Sequence, residues 1–82
     1  MQRRRITATP QRYWEDQYLH KTYRKNSQPF EGVIFECVGV DSWDGGRRVR
    51  LDLEEKREDG FASVMTCSRA FLDANFRACS AA

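Results

Sequence analysis

The feature that most constrains this chain is the apolar run from Pro29 to Val40, PFEGVIFECVGV. Its length suits one strand, and β-branched and aromatic residues dominate it. Its apolar residues alternate between two faces, with Val33, Phe35 and Cys37 on the first and Ile34, Val38 and Val40 on the second. A strand that is apolar on both faces is typical of the centre of a sheet, covered above and below. The run therefore predicts a small sheet with helices packed on it.

A helix is predicted before this strand. Thr9 suits an N-cap, and Pro10 suits the first helical position. The residues that follow form one amphipathic stripe at four-residue spacing: Trp14, Tyr18 and Thr22. We therefore expect a helix from Pro10 to about Lys25.

The second half predicts a hairpin and a closing helix. Residues 47–55 alternate apolar and charged side chains, which indicates a strand with one buried face. A charged loop ending at Gly60 separates this strand from a third strand over residues 61–67. Ser68 then suits the N-cap of a terminal helix. The side chains expected in the core are Trp14, Tyr18, Phe35, Val49, Leu51, Leu53, Leu72 and Phe76.

Together these segments predict an α+β fold, a small antiparallel three-stranded meander flanked by an N-terminal and a C-terminal helix. The same strand spacing also allows a small SH3-like barrel preceded by a helix, and this alternative stays open. Residues 1–8 are expected to form a flexible basic arm. Residues 9–82 are expected to form one domain, because 82 residues are close to the minimum for a single stable core.

Short motifs with a common order mark the second half. Trp-Asp stands at residues 43–44, Val-Arg-Leu at residues 49–51 and Asp-Gly at residues 59–60. Ser68 and Arg69 then begin a Ser-Arg-x-x-Leu-x-x-x-Phe pattern. In these motifs residues 42–77 resemble a family of short bacterial proteins of unknown function, in which the strand motif is Val-Arg-Phe. The family has no known activity, so the resemblance implies none for this chain.

No residue set predicts catalysis. A hydrolase or transferase needs a nucleophile beside a base, whereas the only histidine, His20, is spaced for a helix-surface contact with Asp16. The three cysteines match no zinc-binding spacing and are expected to be free thiols, with Cys67 the most exposed. We therefore expect no enzyme, no catalytic residue, no metal and no cofactor. A secretion signal and a membrane-length apolar run are also lacking, which predicts a cytoplasmic protein with no membrane partner.

Basic residues are concentrated in the first 25 residues, where the only acidic residues are Glu15 and Asp16. A basic surface with interleaved tyrosines favours contact with nucleic acid. Arg48 and Arg50 share one face of the predicted strand and would extend this surface. The candidate contacts are Arg3, Arg4, Arg5, Arg12, Lys21, Arg24, Lys25, Arg48 and Arg50.

A protein partner is the alternative. Aromatic side chains often anchor protein interfaces, and an apolar sheet face left uncovered favours a partner or a homodimer. The candidate interface residues are Trp43, Tyr13, Tyr23, Ile34, Val38 and Val40. The sequence thus predicts a small non-enzymatic accessory or regulatory protein of bacterial or phage type. Its partner is either nucleic acid, bound through the arm and first helix, or another protein, in which case the chain acts as an adaptor or inhibitor.

Overall fold

The computed structural model describes residues 9–59 and 63–79. The described residues form two helices and five strands: α1 (Gln11–Tyr18), β1 (Thr22–Lys25), β2 (Ile34–Trp43), β3 (Arg48–Glu55), β4 (Val64–Ser68), α2 (Arg69–Asn75) and β5 (Phe76–Ala78). The strands make one antiparallel sheet in the order β4-β3-β2-β1-β5. The α+β class is confirmed, with β2 at the centre, but the three-stranded meander is wrong. The predicted arm, residues 1–8, lies outside the described residues.

The first helix is shorter than its amphipathic stripe suggests. α1 ends at Tyr18, and His20 takes a left-handed φ of 68°. The His20 amide then donates to the carbonyl oxygen of Cys37, at 2.7 Å. Residues 22–25 pair with β2 on one side and with β5 on the other instead of continuing the helix. Helical spacing is compatible with this segment, but strand partners that are distant in the sequence decide its conformation.

The core lies on the inner face of the curved sheet. Its buried apolar side chains are Trp14, Tyr23, Phe35, Cys37, Val49, Leu51, Leu53, Cys67, Leu72 and Phe76. Every predicted core residue is among them except Tyr18, which is partly buried against this cluster. The prediction that Cys67 is the most exposed thiol is wrong, because Cys67 lies opposite Leu51 and faces the core rather than the solvent. Burial raises the pKa of the Cys67 thiol to about 11.

A β-bulge in β2 reverses the expected face of Val40. The register between β2 and β3 shifts between Cys37 and Gly39, and Val40 consequently lies opposite Leu51 and packs on the core. Val38 remains exposed. The continuous apolar face predicted for Ile34, Val38 and Val40 therefore does not form, and the homodimer stays a prediction.

The two edges of the sheet are brought together by α2. This helix of seven residues connects the last residue of β4, Ser68, directly to the first residue of β5, Phe76. A helical connection of that length advances by only about 12 Å. In a flat sheet the four inter-strand spacings between β4 and β5 would separate them by about 19 Å. The sheet is therefore strongly curved around the core.

Candidate functional site

At its N-terminal end, β3 extends two residues beyond its pairing with β4, and this leaves a depression at the edge of the sheet. The last pair is Arg50 with Ser68, after which the chain turns into α2. Arg48 and Val49 therefore pair with β2 only. The space beside them has a volume of about 310 Å³. We call its lining the notch, which consists of Trp43, Arg47, Arg48, Val49, Ser68, Arg69 and Ala70.

Trp43 supplies the aromatic wall of the notch. It is the last residue of β2, it lies opposite Arg48, and it is 48% exposed. A tight turn follows, in which the amide of Gly46 donates to the carbonyl oxygen of Trp43 at 3.1 Å. Asp44 and Gly45 both take left-handed φ values in this turn. The turn holds a large, half-exposed ring beside the arginines, where it can stack on a flat ligand.

Arg69 is positioned by two aromatic side chains. Its guanidinium carbon lies 4.4 Å from the centroid of the Trp14 ring, a cation–π contact. Its positive charge also acts on the hydroxyl of Tyr18. Burial, followed by the charge of Asp73, raises the pKa of Tyr18, and Arg69 opposes this shift. A guanidinium held in this way loses little further freedom when it binds a ligand.

The notch differs from the rest of the hairpin in how its charges are compensated. Three outward-facing cations form ion pairs: Arg50 with Asp41 at 3.2 Å, Lys56 with Glu36 at 2.9 Å and Arg57 with Glu55 at 3.0 Å. In the notch, Arg48 approaches Asp44 at 4.0 Å. Within the described residues, no carboxylate lies that close to Arg47 or Arg69. The notch therefore carries positive charge that the fold does not neutralise.

The chain enters the fold beside the notch. The N–H of Thr9 donates to the carbonyl oxygen of Gly45, at 2.9 Å, and a Cβ placed on Gly46 would collide with Thr9. Gln11 accepts hydrogen bonds from the amide and the hydroxyl of Ser42, at 2.9 and 2.6 Å. The prediction that Thr9 is the N-cap of α1 is wrong: Pro10 occupies that position, and no side chain caps the helix. Thr9, the first described residue, is thus attached at the hairpin turn.

The structure brings only part of the predicted basic surface together. Arg3, Arg4 and Arg5 lie outside the described residues. Arg12 and Lys21 are exposed, and the described part of the chain provides no carboxylate partner for either. Arg24 is exposed on β1, opposite Arg77 of β5, and it donates to the carbonyl oxygen of Gly32 at 3.4 Å. Arg48 lies in the notch, whereas Arg50, its neighbour on the same face, is paired with a carboxylate.

Two predicted surface residues are buried instead. Lys25 is only 2% exposed, and its ammonium donates to the carbonyl oxygens of Ser27 and Pro29, at 2.9 and 3.1 Å. Tyr23 lies opposite Phe35 on the core face, and burial raises its pKa to about 12. Both belong to β1, whose alternation turns them inward. Neither is available as the nucleic-acid or protein contact that the sequence predicts.

Among the other predicted interface residues, Trp43 and Tyr13 are exposed, Ile34 is half-buried, and Val40 faces the core. Two residues of the notch, Arg47 and Arg69, are absent from the sequence-based candidates. A basic residue next to the Trp43 turn could have indicated Arg47. No local pattern indicates Arg69, because the long-range pairing of Ser68 with Arg50 brings the start of α2 to the hairpin.

Comparison of the chain with protein-family models, with curated proteins and with solved structures gave no match. The resemblance of residues 42–77 to the bacterial family therefore stays a prediction, although Trp43, Ser68 and Arg69 of its motifs line the notch. In the described residues no helix is long and apolar enough to cross a membrane. The same residues contain no group of three His, Cys, Asp or Glu side chains placed to hold a metal ion.

Proposed function

We propose that this protein is a small, non-enzymatic accessory protein that binds nucleic acid through the notch and the basic arm. The observation that carries the proposal is the convergence of Arg47, Arg48 and Arg69 beside Trp43. Arg3, Arg4 and Arg5 precede Thr9 by only four to six residues in the sequence, and the amide of Thr9 donates to the carbonyl oxygen of Gly45.

The chemistry of the uncompensated arginines favours a phosphate ligand. A guanidinium donates up to two parallel hydrogen bonds to a phosphate and keeps its charge at every physiological pH. Arg47 and Arg69 have no described carboxylate to compete for those donors, whereas Arg50 is engaged by Asp41. Neutralisation of phosphates also releases condensed counterions, which makes the affinity strongly dependent on salt.

We also propose that the curved sheet is a small barrel of the SH3-like type preceded by the helix α1. β1 pairs with both β2 and β5, and α2 draws the β4 and β5 edges toward each other. Small barrels lack long exposed sheet edges, and several bind ligands through the loops and strands at one end. Such a fold hosts many unrelated functions, so the functional proposal rests on the notch rather than on the barrel.

A protein-binding adaptor is the second candidate. Trp43 and Tyr13 are each 48% exposed, and Trp, Tyr and Arg are the residue types that contribute most to protein interfaces. An acidic peptide would also be attracted to Arg47 and Arg69. A protein partner would use the same surface as nucleic acid, but it would not require the arginines to bind phosphate.

The proposal is tested by fluorescence anisotropy with labelled random-sequence oligonucleotides at about 50 and 200 mM salt. The double variant Arg47→Ala, Arg48→Ala removes notch charge, and Arg50→Ala, Lys56→Ala removes the same charge from paired positions. We expect the notch variant to weaken binding and to lower the salt slope by about one unit per lost phosphate contact. The control variant should bind nearly as the wild type does.

Two results would contradict this expectation. No binding by the wild type at low salt, with protein up to about 50 µM, would reject nucleic acid and leave the adaptor, because non-specific affinities lie at about 10⁻⁴–10⁻⁶ M. Equal losses in both double variants would show that net charge, and not the notch, controls the interaction.

A further inference from the structure

The aromatic character of the notch is concentrated in one side chain. Of the residues that line it, only Trp43 is aromatic, and Trp43 is half exposed, whereas Trp14, the other tryptophan, is buried. The ring lines a depression rather than forming a projection. A projecting side chain can wedge between the stacked bases of a duplex, whereas a recessed ring needs the ligand to enter the notch.

The size of the notch limits what can enter it. Its volume of about 310 Å³ is at the lower end of the range for small-molecule sites, about 300–1,000 Å³. Bases within a duplex are stacked on one another and present only their edges in the grooves. An unpaired base, by contrast, can turn out of its strand and stack its flat face on an aromatic ring.

The cations of the notch come from two elements of the fold. Arg47 and Arg48 belong to the hairpin, and Arg69 belongs to α2, so the notch is bounded by positive charge from two separate elements. A stacked nucleotide has a phosphate on each side of its base, and this arrangement provides a guanidinium for each. Arg69 is already oriented by its contact with Trp14.

We infer that the notch receives one unpaired base, stacked on Trp43 with its flanking phosphates on the arginines, and therefore selects single-stranded over double-stranded nucleic acid. This inference rests on the proposed function and specifies the class of its ligand. The notch provides a stacking face and charge rather than donors matched to one base, so it tolerates different sequences. Single strands of RNA and of DNA share this chemistry, and the experiment therefore includes both.

The experiment compares the affinities of one RNA strand, one DNA strand and the DNA duplex of the same sequence, measured at one salt concentration. The wild type should bind both single strands more tightly than the duplex. Trp43→Ala should lower single-strand affinity by about 5- to 150-fold, the range measured for loss of one base–aromatic stack. Duplex affinity should change by less than about twofold, and Trp43→Phe should keep most of the single-strand affinity because it retains a ring.

Phe30→Ala is the matched control, because Phe30 is nearly as exposed as Trp43, at 47%, but lies before the start of β2, whereas Trp43 is its last residue. It should leave both affinities unchanged. Thermal melts followed by circular dichroism confirm that each variant is folded. Equal wild-type affinity for strand and duplex, or unchanged single-strand binding by Trp43→Ala, would overturn the inference while the proposed function stood. Failure of the wild type to bind any of the three probes would reject the proposed function as well.

Discussion

Two arginines of the same hairpin differ in what compensates their charge. Arg50 lies within β3 and pairs with Asp41 of β2, at 3.2 Å. Arg47 precedes β3 at the turn, and no carboxylate of the described residues lies within 4.0 Å of it. The first guanidinium is engaged by the surface of the sheet, and the second is available to an external anion. The net charge of +2 counts the two equally and therefore does not reveal the difference.

Strand register explains the contrast. Asp41 and Arg50 are direct partners in the β2–β3 pairing, where opposite charges contribute roughly 0.2–1 kcal/mol. Arg47 lies beyond the last pair, Trp43 with Arg48, and has no residue opposite it. The charge of Arg50, within the paired region, is thus compensated by the sheet, whereas the charge of Arg47, beyond its end, stays available. Binding residues of this fold are accordingly expected where pairing stops.

The largest expected effect comes from removing the scaffold that both arginines share. Leu51 is fully buried on β3, next to Arg50. Leu51→Ala should lower the free energy of unfolding by about 2–5 kcal/mol, because it removes core contacts and leaves a cavity. Urea denaturation measures this loss. Val64→Ala, at a position that is 61% exposed, should stay within about 0.5 kcal/mol of the wild type. An unchanged unfolding midpoint for Leu51→Ala would contradict the placement of the Leu51 side chain in the core.

A smaller effect is expected at the turn beside the notch. Gly45 and Gly46 have φ values of 67° and 85°, so alanine at either position adds left-handed strain of about 1–2 kcal/mol. Only at Gly46 would the new Cβ also collide with Thr9. Gly46→Ala should therefore unfold at a lower urea concentration than Gly45→Ala. It should also weaken nucleic-acid binding more, because it displaces Thr9, which the predicted basic arm precedes in the sequence. Equal behaviour of the two variants would mean that the contact with Thr9 contributes nothing.

The smallest effect is expected on the paired outer face. The carboxylate of Glu36 accepts a hydrogen bond from Lys56 at 2.9 Å and lies 3.3 Å from Nδ1 of His20. The Lys56 hydrogen bond, followed by that of His20, lowers the pKa of Glu36. A carboxyl group with a lowered folded-state pKa stabilises the protein above its unfolded pKa, and this stabilisation is lost as the pH falls through the folded value.

Glu36→Gln should therefore be slightly less stable than the wild type at pH 7, and the two urea midpoints should converge below about pH 4. High salt should reduce the difference, because the pair is near the surface. Nucleic-acid affinity should not change, since Glu36 lies outside the notch. A stability difference that did not shrink as the pH was lowered would indicate a loss of packing rather than of charge.

The sequence by itself determined those features that depend on neighbours within a few residues. The alternation of Val49, Leu51 and Leu53 predicted the buried face of β3, and the apolar run around Phe35 predicted a central strand. Ser68 was predicted as an N-cap, and its hydroxyl accepts a hydrogen bond from the amide of Phe71 at 3.1 Å. Periodicity and capping are local properties, so they can be derived without a knowledge of the fold.

The tertiary structure decided the features that depend on pairing between distant segments. Local spacing favoured a helix up to Lys25, but pairing with β2 and β5 converted residues 22–25 into a strand and buried Lys25. The bulge before Gly39 turned Val40 inward, because the register of two strands is a property of the pair. The notch exists for the same reason: the β3–β4 pairing ends at Arg50 and Ser68, and this pairing places Arg69 beside a turn that precedes it by more than twenty residues.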